Sequence, residues 1–187
     1  MVLEIVGTIV GLAYLWLEYR ASIYLWIASI IMPAIYIFVY YEAGLYADFG
    51  INIYYLGAAV YGWLVWKFGH KADGEAKEMP ITHMPMRSWL KAVIIYIVAQ
   101  FLIAWLLINY TDSDVPWWDA FTTALSVVGM WMLARKYLEQ WCVWMVVDVV
   151  CVGLYIYKEL YFTAGLYAFY AIVAGFGWLN WKKLMNK

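Results

Sequence analysis

The stretch Gly62-Trp63-Leu64-Val65-Trp66-Lys67 returns 115 residues later as Gly177-Trp178-Leu179-Asn180-Trp181-Lys182. The same offset holds upstream without a gap: Trp16 falls on Trp131, Arg20 on Arg135, Trp26 on Trp141, Tyr40 on Tyr155, Tyr46 on Tyr161, Gly50 on Gly165 and Tyr55 on Tyr170. Four tryptophans and two cations in one ungapped register mark a duplicated unit of about 60 residues. A chain built this way must cover the same apolar faces twice, and duplication of a hydrophobic unit is a recurrent route to membrane carriers.

The environment follows from composition. Hydrophobic residues make up 67% and charged residues 13%, against soluble averages of about 45–50% and about 25%. Aromatic residues reach 21%, with 13 Trp and 18 Tyr, which suits rings that anchor at lipid interfaces or line a ligand path. Met1-Val2-Leu3-Glu4 has no basic region, so the first apolar segment reads as a span rather than a cleaved signal. Cys142 and Cys151 fall in one predicted helix and face different ways, which rules out a disulfide between them.

Seven apolar runs are long enough to cross about 30 Å of hydrocarbon at about 1.5 Å per residue: 3–19, 22–41, 49–67, 89–108, 117–134, 139–157 and 160–181. Segment 68–88 is a polar linker containing Lys71, Asp73, Gly74, Glu75, Lys77, Glu78, Pro80 and Pro85. Eleven of the 12 Lys and Arg residues fall on one side of this arrangement, and only Lys158 falls on the other. The positive-inside rule then puts the N-terminus out and the C-terminus in. The expected fold is an all-α integral membrane protein of seven transmembrane helices. Residues 1–67 and 117–187 form two triple-helix repeats in parallel orientation, the second with a cytoplasmic tail. Residues 68–116 supply the cytoplasmic linker, a linking fourth helix and an outer loop.

Within the spans, Asp148 is the one ionisable residue at depth. A carboxylate there costs at least about 2.5–3.5 kcal/mol, so it should face protein or a watery cavity. Trp141, Trp144 and Tyr155 share its helical face. The equivalent stripe on helix 2 is Trp26, Ser29, Pro33, Tyr36 and Tyr40, with Pro33 where Asp148 stands. Helix 3 offers Asn52, Tyr55, Ala59, Trp63 and Trp66; helix 7 offers Tyr170, Ala174, Trp178 and Trp181. Indoles around one carboxylate suit a flat, cationic aromatic ligand. Plainer roles compete with ligand contact at several positions. Trp66 and Trp181, beside Lys67 and Lys182, have the form of interfacial anchors. Asn52 and Asn180 suit hydrogen bonds between helices, and the glycines near 57–62 and 175–177 suit close helix packing. His70 and His83 lack partners at metal-ligand spacing, so no metal or other cofactor is expected.

Three stretches carry a family resemblance: Val39 to Gly50, the turn Tyr61-Gly62-Trp63, and Thr122 to Lys158. Together they resemble the nicotinamide riboside transporter family, PnuC, whose members include thiamine carriers of the PnuT type. The resemblance implies a SWEET-like three-one-three fold in the bacterial inner membrane and a homotrimer. It implies facilitated diffusion of a vitamin, trapped inside by a cytoplasmic vitamin kinase acting as functional partner. The family's Glu-Asn-Trp-x-x-Trp motif is here Glu139-Gln140-Trp141-Cys142-Val143-Trp144. Its Trp-Asn-Trp motif is Tyr24-Leu25-Trp26, and a helix-5 glutamine of the riboside carriers is Met130. Leu25 and Gln140 are equivalent by the offset, so both family asparagines are replaced at paired positions. These losses favour thiamine as cargo, with nicotinamide riboside the family default. The expected substrate-binding set is Trp26, Tyr36, Asn52, Trp63, Met130, Gln140, Trp141, Trp144, Asp148 and Tyr155. Partners are the vitamin and membrane lipid, with no nucleic acid.

Other classes fit less well. An embedded enzyme or sensor needs a nucleophile, metal or cofactor motif, and none is legible. A channel needs more intramembrane polar residues than these to line a continuous aqueous path. Proton coupling would rest on Asp148 alone.

Overall fold

A computed structural model describes residues 2–42, 46–72 and 75–186. It contains seven helices: α1 (Val2–Tyr19), α2 (Leu25–Glu42), α3 (Tyr46–Phe68), α4 (Met86–Tyr110), α5 (Pro116–Ala134), α6 (Gln140–Tyr157) and α7 (Tyr161–Met185). The linker contributes a feature absent from the all-helical expectation, a hairpin of β1 (His70–Ala72) and β2 (Glu75–Lys77). Its strands pair antiparallel, His70 with Lys77 and Ala72 with Glu75. Asp73 and Gly74 lie outside the described residues, as do the side chains of Tyr40 and His70. An Asp-Gly pair between two short runs is a residue choice that two-residue hairpin connections favour.

Among the described residues, α4, α6 and α7 are long and apolar enough to cross a membrane, with mean hydropathies of 2.3, 1.6 and 1.5. The other expected spans, α1, α2, α3 and α5, are helical as well. Helix ends follow local chemistry. Pro116 opens α5, where its missing N–H costs nothing, and Asp119 lies in that first turn, near the positive end of the helix dipole.

The chain divides into two compact units, Met1–Pro80 with Ala134–Lys136, and Ile81–Leu133 with Tyr137–Lys187. In the first unit α2 packs along α3; in the second α6 packs along α7. The duplication is visible in local geometry. After α1, Ala21 takes φ 51, and after α5, Lys136 takes φ 55, 115 residues on. The Ser22 N–H reaches the Leu17 carbonyl at 2.9 Å, and the Tyr137 N–H reaches that of Met132 at 3.1 Å. Both are left-handed helix caps of the Schellman type. Leu25 and Gln140 then begin the next helices, with N–H groups bonded to Ser22 and Tyr137 carbonyls at 3.1 and 3.3 Å.

The same correspondence reaches the packing. Trp26 and Trp66 meet edge to face with centroids 5.5 Å apart at 87°; Trp141 and Trp181 do so at 5.7 Å and 89°. All four indoles are buried. Each pair depends on a glycine. A Cβ on Gly62 would fall inside the Trp26 ring, and one on Gly177 would lie 2.6 Å from Trp141. No such demand exists at Gly57, which faces open space. Edge-to-face pairs contribute about 0.5–1.5 kcal/mol beyond their buried area, so the two indole pairs are matched cores of the two repeats.

Candidate substrate-binding site

The expectation that Trp66 and Trp181 anchor at a lipid interface is overturned, since both are fully buried. The reason is the glycine one turn earlier, which admits the partner indole. Trp63 has the interfacial character instead: the Lys67 ammonium lies 4.7 Å from its ring centroid, and Phe68, half exposed, meets it edge-on at 6.2 Å.

Gln140 opens α6 and is fully buried, yet neither atom of its amide finds a hydrogen-bond partner among the described residues. The indole nitrogens of Trp141 and Trp144 share that condition. These three residues stand on one face of the helix. A buried polar group left unpaired costs about 1–3 kcal/mol, and three such residues lie together here. In the first unit, Leu25 occupies the place of Gln140 with the same full burial and nothing to satisfy.

One turn beyond Trp144 on the same face comes Asp148, 6% exposed. Among the described residues no hydrogen bond or ion pair involves it. Cys151 follows it three residues on along α6, and Tyr167 and Tyr170 belong to α7, which packs along α6. Tyr155, Tyr167 and Tyr170 form a row, with centroids 5.0 Å and 5.6 Å apart along it. Tyr167 is absent from the expected set. Its signals were its three-residue spacing from Tyr170 and its place opposite Asn52 in the repeat.

The structure therefore brings Gln140, Trp141, Trp144, Asp148 and Tyr155 onto one stretch of the second unit. Gly129 of α5 brings that helix against Trp144, 3.1 Å from where its Cβ would lie. Met130 is the next residue of α5, half buried. Trp26 stays in the first unit with Trp66, and Tyr36 and Asn52 are half-buried on α2 and α3. Cys142 is exposed and Cys151 buried, both as free thiols.

The turn before α6 is strapped by the linker, which sequence patterning did not reveal. Glu139 takes the Met84 N–H on one oxygen at 2.9 Å and lies 2.8 Å from His83 Nδ1 with the other. The Leu138 N–H donates to the Thr82 carbonyl at 3.0 Å. Beneath this, Met84, Ala92, Val128, Met132 and Tyr137 form a buried cluster. Glu139 thus fixes the turn from which Gln140 and Trp141 project. Within the first unit, Lys136 is almost wholly buried, 2.7 Å from Glu78 and 4.2 Å above the Trp66 ring. Burial pulls its ammonium below the usual lysine range, and Glu78 partly restores it. The repeat-equivalent turn carries Ala21 and exposed Tyr24 in place of Lys136 and Glu139.

Helices of this length and apolarity, with partnerless polar groups buried on one of them, mark a polytopic membrane protein. The chain belongs to the nicotinamide mononucleotide transporter family, whose profile matches residues 1–183. It is 25% identical over 205 residues to the nicotinamide riboside transporter PnuC of Escherichia coli (strain K12), covering 95% of this chain and 85% of that one. It is 27% identical over 172 residues to the Neisseria mucosa nicotinamide riboside transporter PnuC, covering 85% and 64%. To the riboflavin/roseoflavin transporter RibM of Streptomyces davaonensis it is 28% identical over 181 residues, covering 95% and 83%. The crystal structure of the vitamin B3 transporter PnuC shares the fold, with a TM-score of 0.66 at 22% identity over 95% of this chain and 79% of that one. These relatives are transporters rather than enzymes, and the chain is a multi-pass inner-membrane protein. The expectation of thiamine as cargo finds no support among them: they are named for nicotinamide riboside and riboflavin.

Proposed function

We propose that this chain carries nicotinamide riboside across the cytoplasmic membrane by alternating access between its two repeats. The observation that carries the reading is the partnerless cluster on α6, Gln140, Trp141 and Trp144, followed on the same face by buried Asp148. Indoles offer apolar faces and N–H donors, Gln140 offers a donor and an acceptor, and Asp148 adds a buried carboxylate. The names of the relatives favour nicotinamide riboside over thiamine. In this reading α1–α3 and α5–α7 are parallel three-helix repeats joined by α4, with the N-terminus outside and the cationic linker and tail inside. The exposed apolar length of α4 faces lipid or neighbouring copies of a homotrimer. Transport is facilitated diffusion, with phosphorylation by a cytoplasmic kinase holding the product inside.

Purified protein in liposomes tests this directly. Saturable uptake of labelled nicotinamide riboside, competed weakly or not at all by thiamine and riboflavin, is expected. Uptake of thiamine or riboflavin with none of nicotinamide riboside contradicts the assignment. The burial of Asp148 without a partner also motivates a proton-coupled variant. Uptake unchanged by collapse of a pH gradient removes that variant.

A further inference from the structure

The candidate site has two chemically different ends. The α6 N-terminal end supplies the Gln140 amide and indole N–H groups, all neutral. Eight residues further along α6, about 12 Å at the helical rise, stands Asp148, and two turns beyond it on the same face Tyr155 begins the phenol row it forms with Tyr167 and Tyr170. Asp148 is 6% exposed and has no hydrogen-bond or ion partner among the described residues. Lys158, which follows α6, is committed to Asp119 at 2.9 and 3.1 Å.

The first repeat lacks this arrangement. At the positions of Asp148 and Tyr167 it has Pro33 and Asn52, while Tyr40 and Tyr55 stand where Tyr155 and Tyr170 do. The matched indole pairs and glycines show that the local frame is retained, so the carboxylate and the middle phenol are particular to one copy. Packing alone required neither.

We propose that Asp148 and the Tyr155–Tyr167–Tyr170 row form a cation station that takes the positively charged ring of the ligand, while Gln140 and the indoles of Trp141 and Trp144 take its uncharged polar end. The ligand thus lies along α6 in one polarity. A desolvated cation gains from the negative faces of phenols and from a carboxylate, whereas a neutral ring of the same shape gains neither. The inference rests on the substrate-binding reading above and adds the direction and the charge selectivity.

The test compares binding of nicotinamide riboside with its dihydro form, a near-isostere whose nicotinamide ring is uncharged, by quenching of tryptophan fluorescence. The wild-type protein is expected to prefer the charged form by about tenfold or more. Asp148→Asn, which keeps side-chain volume, and Tyr167→Leu should each cut that ratio severalfold. Tyr167→Phe should preserve it, because the ring face remains. Trp141→Leu should weaken both ligands alike and leave the ratio near its original value. A ratio unchanged in both Asp148→Asn and Tyr167→Leu overturns the station while leaving the transport reading intact. Failure of the wild-type protein to bind either form overturns both.

Discussion

The α2–α3 and α6–α7 pairs are two versions of one design that have diverged in what they hold. Both set an indole against an indole over a glycine, Trp26 on Trp66 above Gly62 and Trp141 on Trp181 above Gly177. Both begin with a left-handed cap at the same register. They part where chemistry would occur: Leu25 against Gln140, Pro33 against Asp148, Asn52 against Tyr167. Among the described residues, Trp26 has a partnerless indole N–H in the first pair, and Gln140, Trp141 and Trp144 have partnerless polar atoms in the second. Under the proposed function, shared frame and unshared polar atoms separate residues that hold the fold from residues that hold the cargo.

The frame can be broken most severely at its glycines. Gly62→Ala and Gly177→Ala should each lose folded protein in detergent, with destabilisation of about 1–3 kcal/mol or more from overpacking, read by thermal unfolding. Equal tolerance of alanine at Gly57 and Gly62 would contradict the indole-seat account. Substitution of the indoles sharpens the comparison. Trp26→Leu and Trp141→Leu should cost similar stability, about 3 kcal/mol, but Trp141→Leu alone should also lower vitamin affinity, by at least tenfold at matched folded fraction. Similar affinity loss in both variants would mean that the repeats share the ligand equally.

The strapped turn gives a smaller effect. Glu78→Gln leaves the buried Lys136 ammonium without its carboxylate, and because Glu78 is half exposed the expected cost is about 1 kcal/mol. The pH dependence has a definite sign. Lys136 has a folded-state value below its unfolded one, so below that lowered value the folded protein carries the full cost of a buried charge. Stability should rise with pH between the lowered value and the usual lysine range. The gradient should steepen in Glu78→Gln and vanish in Lys136→Met. Least of all, Ala21→Gly should raise thermal stability slightly, by about 0.5–1 kcal/mol, because Ala21 holds φ 51. The same change at Lys136 should destabilise, because the ion pair and ring contact go with it.

Apolar periodicity and length placed all seven helix bodies, with ends within four residues of those observed. The 115-residue register also located the positions where the copies differ. What escaped was non-local or weakly patterned. The hairpin strands have three residues each in a polar stretch, too few for alternation to show. The linker strap joins Glu139 to Met84 across 55 positions, which no local window registers. Trp66 and Trp181 looked interfacial because a lysine follows each; only the paired glycine and indole reveal that they turn inward. Tyr167 was hidden because its equivalent is Asn52, and a search for identities in a repeat passes over the sites where function has diverged.

Converting the second repeat to the first at one position separates holding the fold from holding the cargo most directly. Gln140→Leu installs the residue already found at Leu25, removes two buried atoms without partners, and leaves the indoles in place. Thermal unfolding with and without nicotinamide riboside should show a variant at least as stable as wild type when empty, by about 1 kcal/mol or more, that has lost most of its ligand-induced stabilisation. A variant that is less stable when empty, yet stabilised by the vitamin as fully as wild type, would contradict the account.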